Sequence, residues 1–260
     1  MKKRGEDYLP FLKRENDMKK ILLTVLLIIF TSACGNNEVT VSKVDLTDAK
    51  IKLYRQKVLK DPGNYGNYDN LAYYYLQKAR ETGNHDFFHL AEDAVVKSIE
   101  IKPDSYTGLV LYAKLKLAGH KFTEALKYTK KALEINPDSS YAYGIQGDAY
   151  LELHQISNAE KAYKIMLDIN PSLDSFSRMS NLMRHKHNHI LAIKYMELAY
   201  EAGLMKSSTP KENLAWTQVM LGEIYLDSGN REKAEFYFKN ALGIYDGYYL
   251  AVNNLDKLEI

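Results

Sequence analysis

Ala132-Leu-Glu-Ile-Asn-Pro137 is one of three similar six-residue segments in the chain. The other two are Ser98–Pro103 and Met166–Pro171, and the three prolines that end the segments are 34 residues apart. Self-similarity at a fixed period of this length indicates a repeat array. An alanine precedes each of these prolines by 12 positions, at Ala91, Ala125 and Ala159.

Each repeat unit is predicted to contain two helices. Apolar residues within a unit recur every three to four positions, which is the spacing of one face of a helix. Proline cannot continue a helix, and it disfavours helical geometry in the residue before it. Pro103, Pro137 and Pro171 therefore mark the ends of helices, and each unit is two helices with a break between them.

The pattern inside the units resembles the tetratricopeptide repeat, in which small residues and aromatics alternate at fixed positions. The resemblance covers about residues 45–258. The third unit matches at Tyr143, Gly147, Tyr150, Ala159, Tyr163 and Pro171. The last unit matches at Leu221, Gly222, Tyr225, Gly229, Ala234, Phe238 and Ala241. Small residues let the two helices approach closely, and the aromatics fill the space beside them.

The resemblance implies an all-α fold, a right-handed superhelical solenoid of about five helix pairs. Each pair has a first helix A and a second helix B, and the helices A line the concave side. Residues 45–60 are predicted to form a leading helix and residues 248–258 a trailing helix, and terminal helices of this kind cap such arrays.

Two units depart from the 34-residue period. Pro62 and Pro103 are 41 residues apart, and Ala192 and Ala234 are 42 apart. We place the surplus residues of the first unit between its two helices, near 81–88, and those before the last unit near 203–210.

The apolar run Ile21–Ala33 resembles the core of a bacterial lipoprotein signal peptide. It has 13 residues, which is too short to span a bilayer but typical of a secretory leader. Lys19 and Lys20 precede it, and the sole cysteine, Cys34, follows it. Thr31 stands where the lipoprotein motif usually has Leu. The resemblance implies cleavage before Cys34 and a diacylglyceryl group and acyl chains, such as palmitate, on that residue. The alternatives are an ordinary cleaved leader with a chance cysteine and a buried thiol.

These features divide the chain into segments. Four acids in residues 1–17 are unusual ahead of a leader, so translation is expected to start at Met18. Residues 18–33 are then the signal peptide, 34–44 a lipidated tether and 45–260 the solenoid. Gly35 rather than Asp follows Cys34, which in many lipoproteins favours the outer membrane, facing the periplasm of the bacterial envelope.

The charge distribution argues against nucleic acid as a partner. The chain carries 35 Lys and Arg and 33 Asp and Glu, and residues 1–33 hold seven and four of these. Residues 34–260 therefore keep 28 basic and 29 acidic residues, without the positive field that nucleic-acid binding favours.

The motifs of known catalytic and metal sites are missing from the sequence. It contains no pair of cysteines, no His-Glu-x-x-His segment and no glycine-rich phosphate loop. We therefore expect no enzyme activity, no cofactor and no metal. One alternative is a metal or small-ligand site at His185, His187 and His189, whose alternate spacing suits zinc or copper in an extended segment. The other interpretation of these histidines is a polar turn.

The resemblance implies that a protein or peptide partner binds along the concave face. The family positions that face this groove fall on Asp69, Tyr73, Val110, Lys114, Tyr141, Asp148, Trp216 and Glu223. Family members that bind a terminal carboxylate have Lys and Asn where this chain has Asp69 and Tyr73. Tyr73 is expected in the groove and Tyr75 in the core, although Tyr73–Tyr75 together could instead fill gaps beside the insertion.

The sequence thus predicts a lipid-anchored scaffold or adaptor without catalysis, acting in an envelope assembly pathway. A small-ligand or metal binder, an enzyme with an unrecognised site, and an array that only bridges subunits are the alternatives.

Overall fold

The computed structural model describes residues 43–259, and in this range the regular structure is entirely helical. The helices are α1 (Lys43–Lys60), α2 (Tyr65–Thr82), α3 (Asp86–Ile101), α4 (Tyr106–Ala118), α5 (Phe122–Ile135), α6 (Ser140–Glu152), α7 (Ile156–Ile169), α8 (Leu173–His185), α9 (His189–Met205), α10 (Lys211–Asp227), α11 (Arg231–Ile244) and α12 (Tyr249–Glu259). None of them is both long and apolar enough to cross a membrane. The predicted leader and Cys34 lie outside the described residues.

The predicted architecture is confirmed. The most extensive contacts join α2 to α3, α4 to α5, α6 to α7, α8 to α9 and α10 to α11. These are the five pairs of helices A and B, with α1 leading and α12 trailing. The leading helix begins at Lys43, two residues before the predicted start of the solenoid.

The segment between successive units is set by the prolines and the residues after them. Ser105 and Ser139 lie two residues after Pro103 and Pro137, and Ser172 directly follows Pro171. Each serine oxygen accepts a hydrogen bond from a backbone N–H in the first turn of the next helix. The prolines thus end each helix B, and the serines cap the following helix A.

Within a unit, a glycine in helix A lets the paired helix B approach closely. A Cβ atom at Gly147 would lie 2.3 Å from Cε1 of Tyr163, and one at Gly222 would lie 2.4 Å from Cε1 of Phe238. Both aromatic side chains are fully buried. The small and aromatic residues of the repeat pattern are therefore complementary surfaces of one interface.

Successive helices A contact each other directly, in the pairs α2–α4, α4–α6, α6–α8 and α10–α12. No pair of successive helices B among residues 43–259 makes a comparable contact. Two rows that differ in this way are the inner and outer sides of a curved array, so the helices A lie on the inner side.

The surplus residues of the irregular units lie mostly within helices, which corrects the prediction that those of the first unit lie between its two helices. Helix α2 has 18 residues where α4 has 13, and α3 has 16 where α5 has 14. The turns between A and B keep three residues in both units. Helices α9 and α10, with 17 residues each, take up most of the later surplus. Extending a helix adds internal hydrogen bonds, whereas a longer loop must place its polar backbone elsewhere.

The turn from A to B needs one residue in the left-handed backbone region. In units two, three and four this residue is His120, His154 and His187, with φ of 57°, 57° and 54°. His120 N–H donates to the carbonyl of Leu117, and the next N–H donates to that of Lys116. This is the Schellman motif that ends many helices. Gly229 occupies the same position in unit five, and in unit one the left-handed residue is Gly83, which is the first residue of its turn and donates its N–H to the carbonyl of Ala79.

Polar contacts attach the start of α1 to the second half of α2. Gln77 Nε2 donates to Thr47 Oγ1 at 3.0 Å and to Glu81 Oε1 at 2.9 Å. Lys78 Nζ lies 2.7 Å from Asp48 Oδ2. Further along α1, Ile51 packs into the apolar core of the first unit. The α1–α2 interface therefore has a polar part near residue 47 and an apolar part beyond it.

Candidate peptide-binding groove

A groove of about 180 Å³ lies across the helices A of the first three units. We call it the tyrosine groove. Its lining residues come from α2 (Tyr73, Leu76, Arg80), α4 (Tyr106, Thr107, Val110, Leu111, Lys114) and α6 (Tyr141). Four of the eight predicted binding residues, Tyr73, Val110, Lys114 and Tyr141, are thereby brought together.

The tyrosine groove has an apolar floor and a hydroxyl-bearing rim. Leu76, Val110 and Leu111 are buried between the helices and form the floor. Tyr73 and Tyr141 keep 48% and 37% of their surfaces exposed. Aromatic rims of this kind offer a large contact area at a low cost in side-chain entropy.

Two cationic side chains complete the tyrosine groove. Lys114 Nζ lies 5.7 Å from the ring centroid of Tyr141, within the range of a cation–π contact. Arg80 is exposed. Among the described residues, neither cation forms a salt bridge with a carboxylate, and none of the nine lining residues is acidic.

Asp69 does not face the groove, contrary to the prediction. It is only 4% exposed, and its oxygens accept hydrogen bonds from Ser98 Oγ at 2.5 Å and Ser105 Oγ at 2.9 Å. Burial raises the pKa of Asp69, and the two serine hydrogen bonds oppose that shift. A Cβ atom at Gly108 would lie 3.0 Å from Asp69 Oδ1. Asp69 therefore joins α2, α3 and the start of α4 and is not available to a partner.

The carboxylate of Asp148 is occupied by two donors of its own chain. Tyr163 donates its hydroxyl to Asp148 Oδ1 at 2.8 Å, and Arg178 Nε lies 3.0 Å from the same oxygen. Burial raises the pKa of Tyr163, and the negative charge of Asp148 adds to the shift. Burial lowers the pKa of Arg178, but the charge of Asp148 and its hydrogen bond raise it overall. Asp148 therefore links units three and four.

The two predicted residues of unit five also make contacts within the chain. Glu223 Oε2 lies 3.2 Å from Arg184 Nη1, and Arg184 Nη2 lies 2.7 Å from Asp227 Oδ2. Trp216 is half-buried and packs against the apolar clusters on both sides of α10. Neither residue lines the tyrosine groove, which ends at α6.

The three consecutive tyrosines of α2 have three different environments. Tyr75 is buried, as predicted, and its ring stacks 6.2 Å from that of Phe87. Tyr74 stacks on Tyr54 of α1 at 5.6 Å. Tyr73 points to the groove and contacts Tyr74 edge-on at 5.2 Å.

The histidines of the alternative metal hypothesis lie at the turn between α8 and α9. His185 ends α8, His187 adopts the left-handed conformation and His189 begins α9. Within residues 43–259, no three His, Cys, Asp or Glu side chains are grouped so that they could hold a metal ion. The structure therefore shows a polar turn here and no preformed site.

Sequence reasoning missed Arg80, Leu76 and Tyr106. Arg80 lies in the extended part of α2, which has no counterpart in the shorter helices A. A search restricted to the 34-residue phase therefore cannot reach it. For Tyr106, the sequence feature that could have pointed to a binding role is the large number of tyrosines, 21 in the chain.

Comparison with known proteins supports the same fold. Residues 172–246 match the family model described as tetratricopeptide repeat. No curated protein matches the chain. A chain of the APC/C hetero-tetramer Cut9–Hcn1 is similar over 82% of this chain, with a TM-score of 0.70 and 14% identity. This chain spans only 39% of that protein's length.

Two bacterial structures are matched over most of their own length. A tetratricopeptide repeat protein of Thermus thermophilus is similar over 82% of this chain and all of its own, with a TM-score of 0.59 and 16% identity. BtubC of P. vanneervenii is similar over 79% of this chain and 92% of its own, with a TM-score of 0.55 and 18% identity. Together with the helix order and the glycine–aromatic interfaces, these matches show that residues 172–246 match the tetratricopeptide repeat and that the described chain has the fold of such repeat arrays.

Proposed function

We propose that this protein is a lipid-anchored scaffold that binds a protein or peptide partner in the bacterial envelope and has no catalytic activity of its own. The observation that carries the proposal is the tyrosine groove on the inner row of helices. It exposes aromatic rings and two cations, which lack carboxylate partners among residues 43–259, on a rigid surface. Such surfaces are typical of partner-binding sites, since aromatics and arginine are enriched there.

The shape of the tyrosine groove favours a peptide over a small ligand. Small-molecule pockets usually have volumes of about 300–1,000 Å³ and enclose most of the ligand. The tyrosine groove is smaller, at about 180 Å³, and its rim tyrosines are open to solvent. It suits one or two side chains of an extended segment.

Three titratable groups with shifted pKa values have structural roles, which agrees with the proposed absence of catalysis. Asp69, Tyr163 and Arg178 each form hydrogen bonds to neighbouring helices. An active site needs such groups beside a cavity that admits substrate. None of the three lines the tyrosine groove.

The membrane attachment is proposed from Cys34 and the leader before it. Acylation at Cys34 would hold the array close to the outer membrane, with eight residues between the anchor and the start of α1. Several acyl chains on one residue are enough for stable attachment. Metabolic labelling with an alkyne palmitate analogue tests the anchor, and we expect Cys34→Ser to lose the label and the membrane fraction. A labelled Cys34→Ser protein would disprove it.

Site-specific photocrosslinking in cells tests partner binding. We would place a photoreactive phenylalanine analogue at Tyr73 or at Tyr141, and at Lys130 as the control. Lys130 is exposed on a helix B and outside the tyrosine groove. We expect one crosslinked partner from both groove positions and none from Lys130. Equal products from all three positions, or none from Tyr73 and Tyr141, would reject the groove as the binding surface.

A further inference from the structure

The charge that the tyrosine groove offers to a partner depends on which of the nearby charged side chains are already paired within the chain. The predicted surface contained three acids, and each of them is occupied. Asp69 binds two serine hydroxyls, Asp148 binds Tyr163 and Arg178, and Glu223 binds Arg184. Arg80 and Lys114 have no such carboxylate partner in the described part of the chain.

The charged side chains next to Arg80 in α2 form their contacts with α1. Glu81 accepts hydrogen bonds from Thr47 and Gln77 at the α1–α2 interface. Lys78 is paired with Asp48 at the same interface. Ion pairing in this part of α2 therefore faces α1, whereas Arg80 carries its charge toward the tyrosine groove.

The two cations flank an apolar floor. Leu76 and Val110 are buried, and Lys114 lies against the face of Tyr141. That contact restricts the ammonium group before any partner binds, so less entropy is lost when a carboxylate arrives. Tyr73 and Tyr141 add hydroxyl groups around the rim, whereas the hydroxyl of Tyr106 is hydrogen-bonded to Ser139 Oγ.

From this arrangement we propose that the tyrosine groove selects an extended peptide segment in which a Glu or Asp side chain lies beside an aromatic or large aliphatic residue. The apolar side chain packs on Leu76, Val110 and Leu111, and the carboxylate pairs with Arg80 and Lys114. The inference rests on the proposed function, and it adds the chemistry of the partner.

An internal segment fits better than a free chain end. The inner row of helices A continues from α6 to α8, beyond the last residue that lines the tyrosine groove. The Lys and Asn of the family's terminal-carboxylate site are replaced by Asp69 and Tyr73. The carboxylate is therefore expected from a side chain within a longer segment.

Selection from random dodecapeptides displayed inside a carrier protein, on the full chain in detergent, tests the proposal. We expect enriched sequences that pair Glu or Asp with an aromatic or large aliphatic residue. For a synthetic consensus peptide with both ends blocked, changing Glu to Gln should weaken binding about tenfold. Arg80→Gln and Lys114→Gln should each weaken the Glu peptide by a similar factor and leave the Gln peptide nearly unchanged. Lys130→Gln, on a helix B, should change neither.

The other outcomes separate this inference from the proposed function. Suppose that peptides bind and that Tyr141→Ala weakens their binding, but the Glu and Gln versions bind equally well. The tyrosine groove then binds peptides, and the proposed acidic selectivity is wrong. If only peptides with a free C-terminus bind, the terminal carboxylate is the ligand and the inference is overturned. If no selected peptide depends on Arg80, Lys114 or Tyr141, the inference also fails, while the crosslinks from Tyr73 and Tyr141 still decide the proposed function.

Discussion

The guanidinium of Arg178 reaches the carboxylate of Asp148 across the helix surface left open by Gly144. Arg178 Nε lies 3.0 Å from Asp148 Oδ1, and a Cβ atom at Gly144 would lie 3.2 Å from Arg178 Nε. The absence of a side chain at one position of α6 therefore lets a residue of α8 bind another position of α6. This contact joins units three and four on the inner side of the array.

Removing the acid of this pair is expected to destabilise the array. Asp148→Asn leaves Arg178 without its charged partner and weakens the bond from Tyr163. Hydrogen bonds to charged groups contribute about 1.5–3 kcal/mol, and since both side chains keep about a quarter of their exposure, we expect a loss of about 1–2 kcal/mol. Urea unfolding followed by circular dichroism measures it. The control is Glu235→Gln, whose pair with Lys239 is exposed, and a loss no larger than in that control would contradict the assignment.

Alanine substitutions at Gly147 and Gly243 are a matched test of the close contact between helices A and B. Gly147→Ala places a methyl group against Tyr163, and overpacking of this kind costs about 1–3 kcal/mol. Gly243 has no atom within 4 Å of its Cβ position and lies within α11, so Gly243→Ala should raise the free energy of unfolding by about 0.5–1 kcal/mol. Thermal unfolding distinguishes the two. Equal shifts of Tm would mean that the contact at Tyr163 is easily relieved.

The histidines of the A-to-B turns are expected to be replaceable by glycine with a gain in stability. Residues other than glycine disfavour the left-handed region of His120 and His154, by about 1 kcal/mol or more. His120→Gly and His154→Gly should therefore each raise the free energy of unfolding by about 0.5 kcal/mol, after the entropy of glycine in the unfolded chain is counted. Gly83→Ala, at the left-handed residue of the first unit with φ 68°, should lower it by about 1 kcal/mol. If the His→Gly and Gly83→Ala substitutions changed the free energy of unfolding in the same direction, side-chain contacts rather than backbone geometry would decide which residue stands at these positions.

The buried Asp69 predicts a distinct pH dependence of stability. Because its pKa is raised in the folded protein above the ordinary 3.8, the folded state binds a proton that the unfolded state has lost. Wild-type protein should therefore gain stability relative to Asp69→Asn as the pH falls through the raised pKa toward 3.8, and should lose that advantage as the pH rises. Urea midpoints across this range measure the difference. A difference that grows with rising pH would mean that the serine hydrogen bonds outweigh burial.

The helix pairs could be predicted because proline and small residues act locally. Pro103, Pro137 and Pro171 end helices whatever packs around them, and Gly147 and Gly222 mark the close contacts between helices A and B. The surplus residues were misplaced for a related reason. Their sequence near residue 81 suits a turn, but helix length is decided by packing against α1, a contact between residues about 30 positions apart.

The binding residues were harder to predict because family positions fix where a residue lies and not what it contacts. Asp69 occupies a groove position, yet Ser98, Ser105 and the space beside Gly108 draw it into the interior. Asp148 is likewise taken by Tyr163 and Arg178. Arg80 owes its place to the extension of α2. Tyr73, Lys114 and Tyr141 line the tyrosine groove, and none of the three forms a salt bridge with another side chain of residues 43–259.

From the two-part interface between α1 and α2 we expect a stepwise response to mechanical force. A pull on the N-terminal end of α1 first loads Thr47 and Asp48, which are held by hydrogen bonds and an ion pair, and only then the apolar contact of Ile51. Short-range polar contacts rupture after a small extension, so α1 should peel from α2 while the later units stay folded. The leading helix would then detach and extend under tension, while the helices that line the tyrosine groove stay folded.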